Sequence, residues 1–184
     1  FAPLDIKDIA QEVQAVIPDE WLTYKGKVAL EPMPATVTKS KGTHCTVLLK
    51  VDGYSPDSLE RLRIACSEEQ PNERVFVVED IYVGDVMKRL KKQEVVNIGI
   101  SIICPAVRRV RKKWLMPILE EDRRDHNPYP GEGHVSLVYI RAEMKDDSLV
   151  QRIKILSEKW RGQKIRFDNF VFQDWGERQG VELL

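Results

Sequence analysis

Two histidines, His44 and His134, each stand two positions before a small hydroxyl residue, Thr46 and Ser136, inside an apolar run. The segments are Gly42-Thr43-His44-Cys45-Thr46-Val47-Leu48-Leu49 and Gly133-His134-Val135-Ser136-Leu137-Val138-Tyr139-Ile140, with the histidines ninety positions apart. A β-strand sends alternate side chains to opposite faces, so each imidazole shares a face with its hydroxyl, while Cys45 with Val47 and Val135 with Leu137 fill the other. If the two strands are neighbours, both imidazoles and both hydroxyls meet in one cleft. A neutral imidazole accepts a proton, a protonated one gives a proton up, and two hydroxyls hydrogen-bond anionic oxygens. That set suits phosphoryl chemistry without a metal or another cofactor. A pair of histidines also begins a zinc site, but no carboxylate or thiolate stands near either one at the short spacing of a ligand set.

These segments resemble the two signature motifs of the two-histidine (2H) phosphoesterase superfamily, His-x-Thr/Ser-x-apolar, one in each of two lobes facing a cleft. His134-Val135-Ser136-Leu137-Val138-Tyr139 is especially similar to the second motif of the eukaryotic cyclic nucleotide phosphodiesterases of that superfamily. The resemblance extends over the order of elements from Lys27 to the C-terminus. It implies an α+β, two-lobed fold of antiparallel sheets flanked by helices around a central cleft, formed by residues 1–184 as one bilobal domain. It also implies hydrolysis of 2′,3′-cyclic phosphates, on RNA ends or small nucleotides, to 2′-phosphates. His44 and His134 then serve as general acid and base, and Thr46 and Ser136 bind the phosphate. Cleavage of 2′-5′ linked oligonucleotides needs the same four side chains. A non-catalytic RNA-binding module of the same fold, or one step of a multifunctional RNA repair ligase, are the other readings. The chain departs from the pattern at Cys45, where an aliphatic residue is usual, and in longer basic segments around Lys88 and Arg108.

Further candidate substrate contacts are Tyr139, Tyr129, Arg108, Arg109 and Trp114. The run from Ala106 to Trp114 holds five cationic side chains and ends in an indole, so it can grip an RNA strand by phosphate contacts and stacking. It reads equally as the solvated side of an amphipathic helix with Val107, Val110 and Trp114 turned inward. Tyr129 precedes His134 in a loop and reads equally as a ring that stacks on a base or as a loop aromatic that packs on the surface. Tyr139 is a candidate through the resemblance, yet strict alternation puts it on the core face away from His134, and only a bulge or a bent strand reverses that. His126, among Arg123, Arg124 and Asp125, reads as solvated.

The elements that must position these groups follow from periodicity. Ile6, Ile9, Val13, Val16 and Ile17 recur at helical spacing, and a strand is expected over Lys27 to Leu30. Ser55 and Pro56 have the form of a helix cap and first turn, with the helix running to Cys66. Arg74 to Val83 and Glu94 to Ile103 read as strands joined by the basic connector Lys88 to Lys92. A helix is expected from Pro105 to Leu119, and an irregular loop from Glu120 to Gly133. After the second motif, Asp146 or Asp147 opens an amphipathic helix that stops near Gly162, and two strands, Ile165 to Phe172 and Val181 to Leu184, close the chain. The expected order is α-β-β-α-β-β-α-β-α-β-β.

The 184 residues carry 29 basic and 29 acidic side chains, which argues against a protein that holds long nucleic acid by overall charge. The partners that the resemblance implies are RNA 3′ ends or small cyclic nucleotides, and no membrane and no obligate protein partner are expected. Three cysteines, Cys45, Cys66 and Cys104, cannot all pair and form no close doublet, which points to a reducing compartment, cytoplasmic or nuclear. No apolar run has bilayer length, and the N-terminus lacks the form of a signal peptide. Phe1 in place of an initiator methionine leads to the expectation of a processed chain or a domain of a longer protein.

Overall fold

The computed structural model describes residues 2–3, 5–30, 43–45, 55–68, 74–88, 93–105 and 133–167. Ile9, Ala10 and Val13 are buried on one side of helix α1 (Lys7–Ala15), flanked by buried Ile6 and Ile17, before Pro18 ends the pattern. Helix α2 (Pro56–Glu68) starts as its sequence requires. Ser55 Oγ accepts from the Ser58 backbone N–H at 3.1 Å, with Pro56 in the first turn. Helix α3 (Asp147–Trp160) is capped by Asp146, whose carboxylate accepts from Leu149 N at 2.7 Å. It is released by Gly162 at φ +82°, a conformation that glycine adopts without strain.

Five strands form one antiparallel sheet in the order β2 (Leu22–Lys27), β6 (His134–Arg141), β5 (Glu94–Ile103), β4 (Val75–Lys88) and β7 (Lys164–Arg166). A separate ribbon pairs β1 (Ala2–Pro3) with β3 (His44–Cys45). Helix α1 packs on β6, α3 packs on β4, and the two helices touch each other, so both cover one face. On that face Ile98, Ile100 and Ile102 of β5 meet Val135, Leu137, Val138 and Ile140 of β6 and Phe76 and Val78 of β4, all buried. Ile9, Val13, Leu149 and Ile153 complete the core from the helices. The protein is thus a mixed structure of helices and antiparallel sheet. Among the described residues no helix is long and apolar enough to cross a membrane.

Several expectations need correction. The strand after α1 is Leu22–Lys27, not Lys27 to Leu30. Its paired segment holds Thr23, Lys25 and Gly26, which conceal the alternation: Thr23 is buried and its hydroxyl donates to Tyr139 O at 3.2 Å. Strand β4 continues to Lys88 rather than ending at Val83, because an irregularity between Val83 and Val86 absorbs Gly84 and Asp85 within the ladder. The ribbon strand β1 was not expected at all. Residues 89–92, the expected helix beyond Pro105, the loop with His126, and the chain past Phe167 lie outside the described residues.

Candidate active site

Strand β6 carries the second motif, and its burial alternates as the motif requires. Val135 and Leu137 are buried toward the helices, while His134 and Ser136 are partly exposed on the opposite face. The ladder with β5 sets their neighbours: Ser101 opposes His134 and Gly99 opposes Ser136. Because Ile102 N donates to Gly133 O at 3.1 Å, that pair is hydrogen-bonded, and Ser101 and His134 form the closer, non-bonded kind of pair. Ser101 Oγ in turn donates to Glu79 Oε2 at 2.7 Å. A carboxylate, a hydroxyl and an imidazole therefore lie in a row across β4, β5 and β6.

The ladder slips between Ile98 and Gly99, leaving Leu137 as an extra residue in β6. Its carbonyl is not wasted: Val28 N donates to it at 2.9 Å and Gln14 Nε2 at 3.3 Å. The bulge reverses the alternation, so Leu137 and Val138 are both fully buried and Tyr139 falls opposite Asn97. The expectation that Tyr139 faces the core is thereby overturned. It stands on the face of His134 and Ser136, and Arg141 follows it there, with a guanidinium that donates to Glu20 O.

The first motif enters from the ribbon. Cys45 is fully buried, and its sulfur lies 2.6 Å from the point where a Cβ on Gly133 would stand. Ile102 Cγ1 lies 3.5 Å from the same point. The residue that follows His44 thus packs against the residue that precedes His134. Thr43 and Cys45 are both buried and His44 between them is partly exposed, so the imidazole turns away from the core side occupied by Cys45. Thr46, the hydroxyl of this motif, lies outside the described residues, as do Tyr129, Arg108, Arg109 and Trp114.

Sequence reasoning missed four residues on this face: Glu79, Tyr82, Asn97 and Ser101. Tyr82 opposes Gly99, and its hydroxyl lies 3.0 Å from where a Cβ on Gly99 would stand. Asn97 is 8% exposed, and its Nδ2 donates to Ser136 Oγ at 3.2 Å. Its Oδ1 is buried without a hydrogen-bond partner, which costs on the order of 1–3 kcal/mol. The signal that marks this face is present in the sequence. Within the apolar run Val95 to Ile103, every second position from Asn97 to Ser101 is small or polar: Asn97, Gly99, Ser101.

The arrangement gathers an imidazole, a hydroxyl held by an amide, and a carboxylate-linked serine beside the ribbon that carries a second imidazole. Among the described residues, no three His, Cys, Asp or Glu side chains are grouped so as to hold a metal ion. No family model matches the chain, and no curated protein sequence matches it.

Proposed function

We propose that this protein is a metal-independent phosphodiesterase that hydrolyses 2′,3′-cyclic phosphates, on RNA 3′ ends or on nucleotides, to 2′-phosphates. What carries the reading is the packing of Cys45 against Gly133, which brings His44 and His134, ninety positions apart in sequence, to one end of β6. In the proposed reaction one histidine, neutral, takes a proton from water as the water oxygen bonds to phosphorus in line with the P–O3′ bond. That bond breaks, and the other histidine, protonated, gives its proton to the departing 3′ oxygen. The proton taken and the proton given leave the pair with exchanged charge states, which solvent restores. Ser136 and Thr46 donate to the non-bridging oxygens as negative charge builds on them. The β1–β3 ribbon is assigned to a first lobe and the five-stranded sheet to a second, with the cleft between them. Buried cysteines such as Cys45 and Cys104 suit the proposed setting, a reducing compartment in which RNA is processed or repaired.

The test is hydrolysis of a short RNA ending in 2′,3′-cyclic phosphate, in the presence of a chelator, by the native chain and by His44→Ala and His134→Ala. Turnover that both substitutions abolish, with a 2′-phosphate product, supports the reading. Turnover that survives either substitution sinks it. Activity confined to 2′-5′ linkages keeps the four residues and changes the substrate, and no activity on any phosphodiester favours a binding module.

A further inference from the structure

Asn97 is the buried polar group on this face that the reaction above leaves without a task. It is 8% exposed, it donates to Ser136 Oγ, and its own Oδ1 has no partner. A leucine of nearly the same size would fill the position without stranding an acceptor, so the stability of the sheet is not what the amide serves. Its effect is on the direction of a hydrogen bond. A serine hydroxyl has one proton and two acceptor sites, and it rotates to suit its neighbours. An amide N–H only donates, so the contact occupies the serine oxygen as acceptor and leaves the serine proton to point elsewhere. Gly99, which opposes Ser136 and lies between it and the amide along β5, has no side chain to intervene.

We propose that Asn97 is a positioning residue that holds Ser136 as a hydrogen-bond donor toward a phosphoryl oxygen of the substrate. Donation into the serine oxygen also polarises its O–H bond, which strengthens the bond that the hydroxyl gives to an anion. The inference rests on the hydrolytic reading of the site.

Asn97→Asp tests it with almost no change of shape, because a carboxylate accepts and takes the serine proton for itself. Asn97→Leu removes the contact and lets the hydroxyl rotate. On RNA ending in a 2′,3′-cyclic phosphate, kcat/KM is expected to fall about a hundredfold in Asn97→Asp, the scale of losing one transition-state donor. Asn97→Leu is expected to lose about two- to tenfold, the scale of one net hydrogen bond. Inorganic phosphate, titrated by calorimetry, should bind Asn97→Asp about tenfold more weakly than the native chain. In a Ser136→Ala background Asn97→Leu should cost nothing more, since Asn97 acts only through that hydroxyl. Folding is checked by near-ultraviolet circular dichroism, and if Asn97→Asp does not fold, the Asn97→Leu and Ser136→Ala cycle decides alone. Equal losses from Asn97→Leu in both backgrounds, or native phosphate affinity in a folded Asn97→Asp, overturn the inference while leaving the hydrolytic reading in place. A native chain that neither binds phosphate nor turns over cyclic ends overturns both.

Discussion

The sulfur of Cys45 and the α-carbon of Gly133 meet so closely that a single methyl on the glycine would stand 2.6 Å from the sulfur. This contact is the seam between the ribbon and the sheet, and it lies one residue from each motif histidine. Gly133→Ala must therefore push β3 away from β6 or distort both, at a cost of about 1–3 kcal/mol for overpacking. The displacement falls directly on the spacing of His44 and His134, so turnover should fall more than stability. Cys45→Ala removes the offending sulfur, and the double variant should regain most of the lost activity. A Gly133→Ala chain with native turnover, or one that Cys45→Ala does not help, would show that this seam does not set the histidine spacing.

Gly99 is crowded differently. A Cβ there would stand 2.6 Å from Val135 O and 3.0 Å from the Tyr82 hydroxyl. The nearer obstacle is a carbonyl of the neighbouring strand, which cannot retreat without disturbing the ladder. Gly99→Ala is expected to lower the melting temperature by roughly 3–10 °C, given about 1–3 kcal/mol of strain in a chain of this size. Tyr82→Leu should not restore it, in contrast to the rescue of Gly133→Ala by Cys45→Ala. Recovery in the Gly99→Ala, Tyr82→Leu chain would mean that the side chain, not the carbonyl, is the barrier.

Helices α1 and α3 were legible because each presents one buried stripe at a clear period, and β5 because its isoleucines recur at every second position. Ile9 and Val13 in α1, Leu149 and Ile153 in α3, and the alternating isoleucines of β5 all lie in the core. Strand β2 was misplaced in the sequence, because Thr23, which satisfies the Tyr139 carbonyl, looks like a surface residue in a list of letters. The bulge at Leu137 was not legible at all. Nothing in Ser136-Leu137-Val138-Tyr139 distinguishes a slipped ladder from a regular one, and the slip depends on donors from Val28 and Gln14, far away in the chain. It is this slip that carries Tyr139 to the face of His134. The partnership of Asn97 with Ser136 was hidden for the same reason, since it crosses between strands whose register no single segment determines.

Glu12 joins the two helices that cover the sheet. Its carboxylate accepts from Lys159 Nζ at 2.6 Å and from Trp160 Nε1 at 3.0 Å, and these bonds, that from Lys159 foremost, hold its pKa below the usual carboxylate value. A carboxyl more acidic when folded than when unfolded stabilises the fold above its unfolded pKa, and that contribution is lost as pH falls through the folded value. Glu12→Gln should melt below the native chain at neutral pH, and the gap should close as the solution is acidified through the carboxylate range. Added salt should narrow the gap at neutral pH, because the group is partly exposed and its interaction with Lys159 is screened. A gap that is constant from neutral to strongly acidic pH would assign the effect to packing rather than to charge.

The pH dependence of turnover tests the division of labour between His44 and His134. In the proposed reaction one is neutral and the other protonated, so kcat/KM should fall on the acid side as the base gains a proton and on the alkaline side as the acid loses one. Ser136 carries no titratable group in this range. Ser136→Ala should therefore lower the whole bell by about 10²- to 10³-fold, the scale of one lost transition-state donor, without moving either limb. His44→Ala and His134→Ala should each remove one limb together with nearly all of the rate. A native profile with a single limb would mean that only one of the two imidazoles transfers a proton, and the other would then have to act by binding alone.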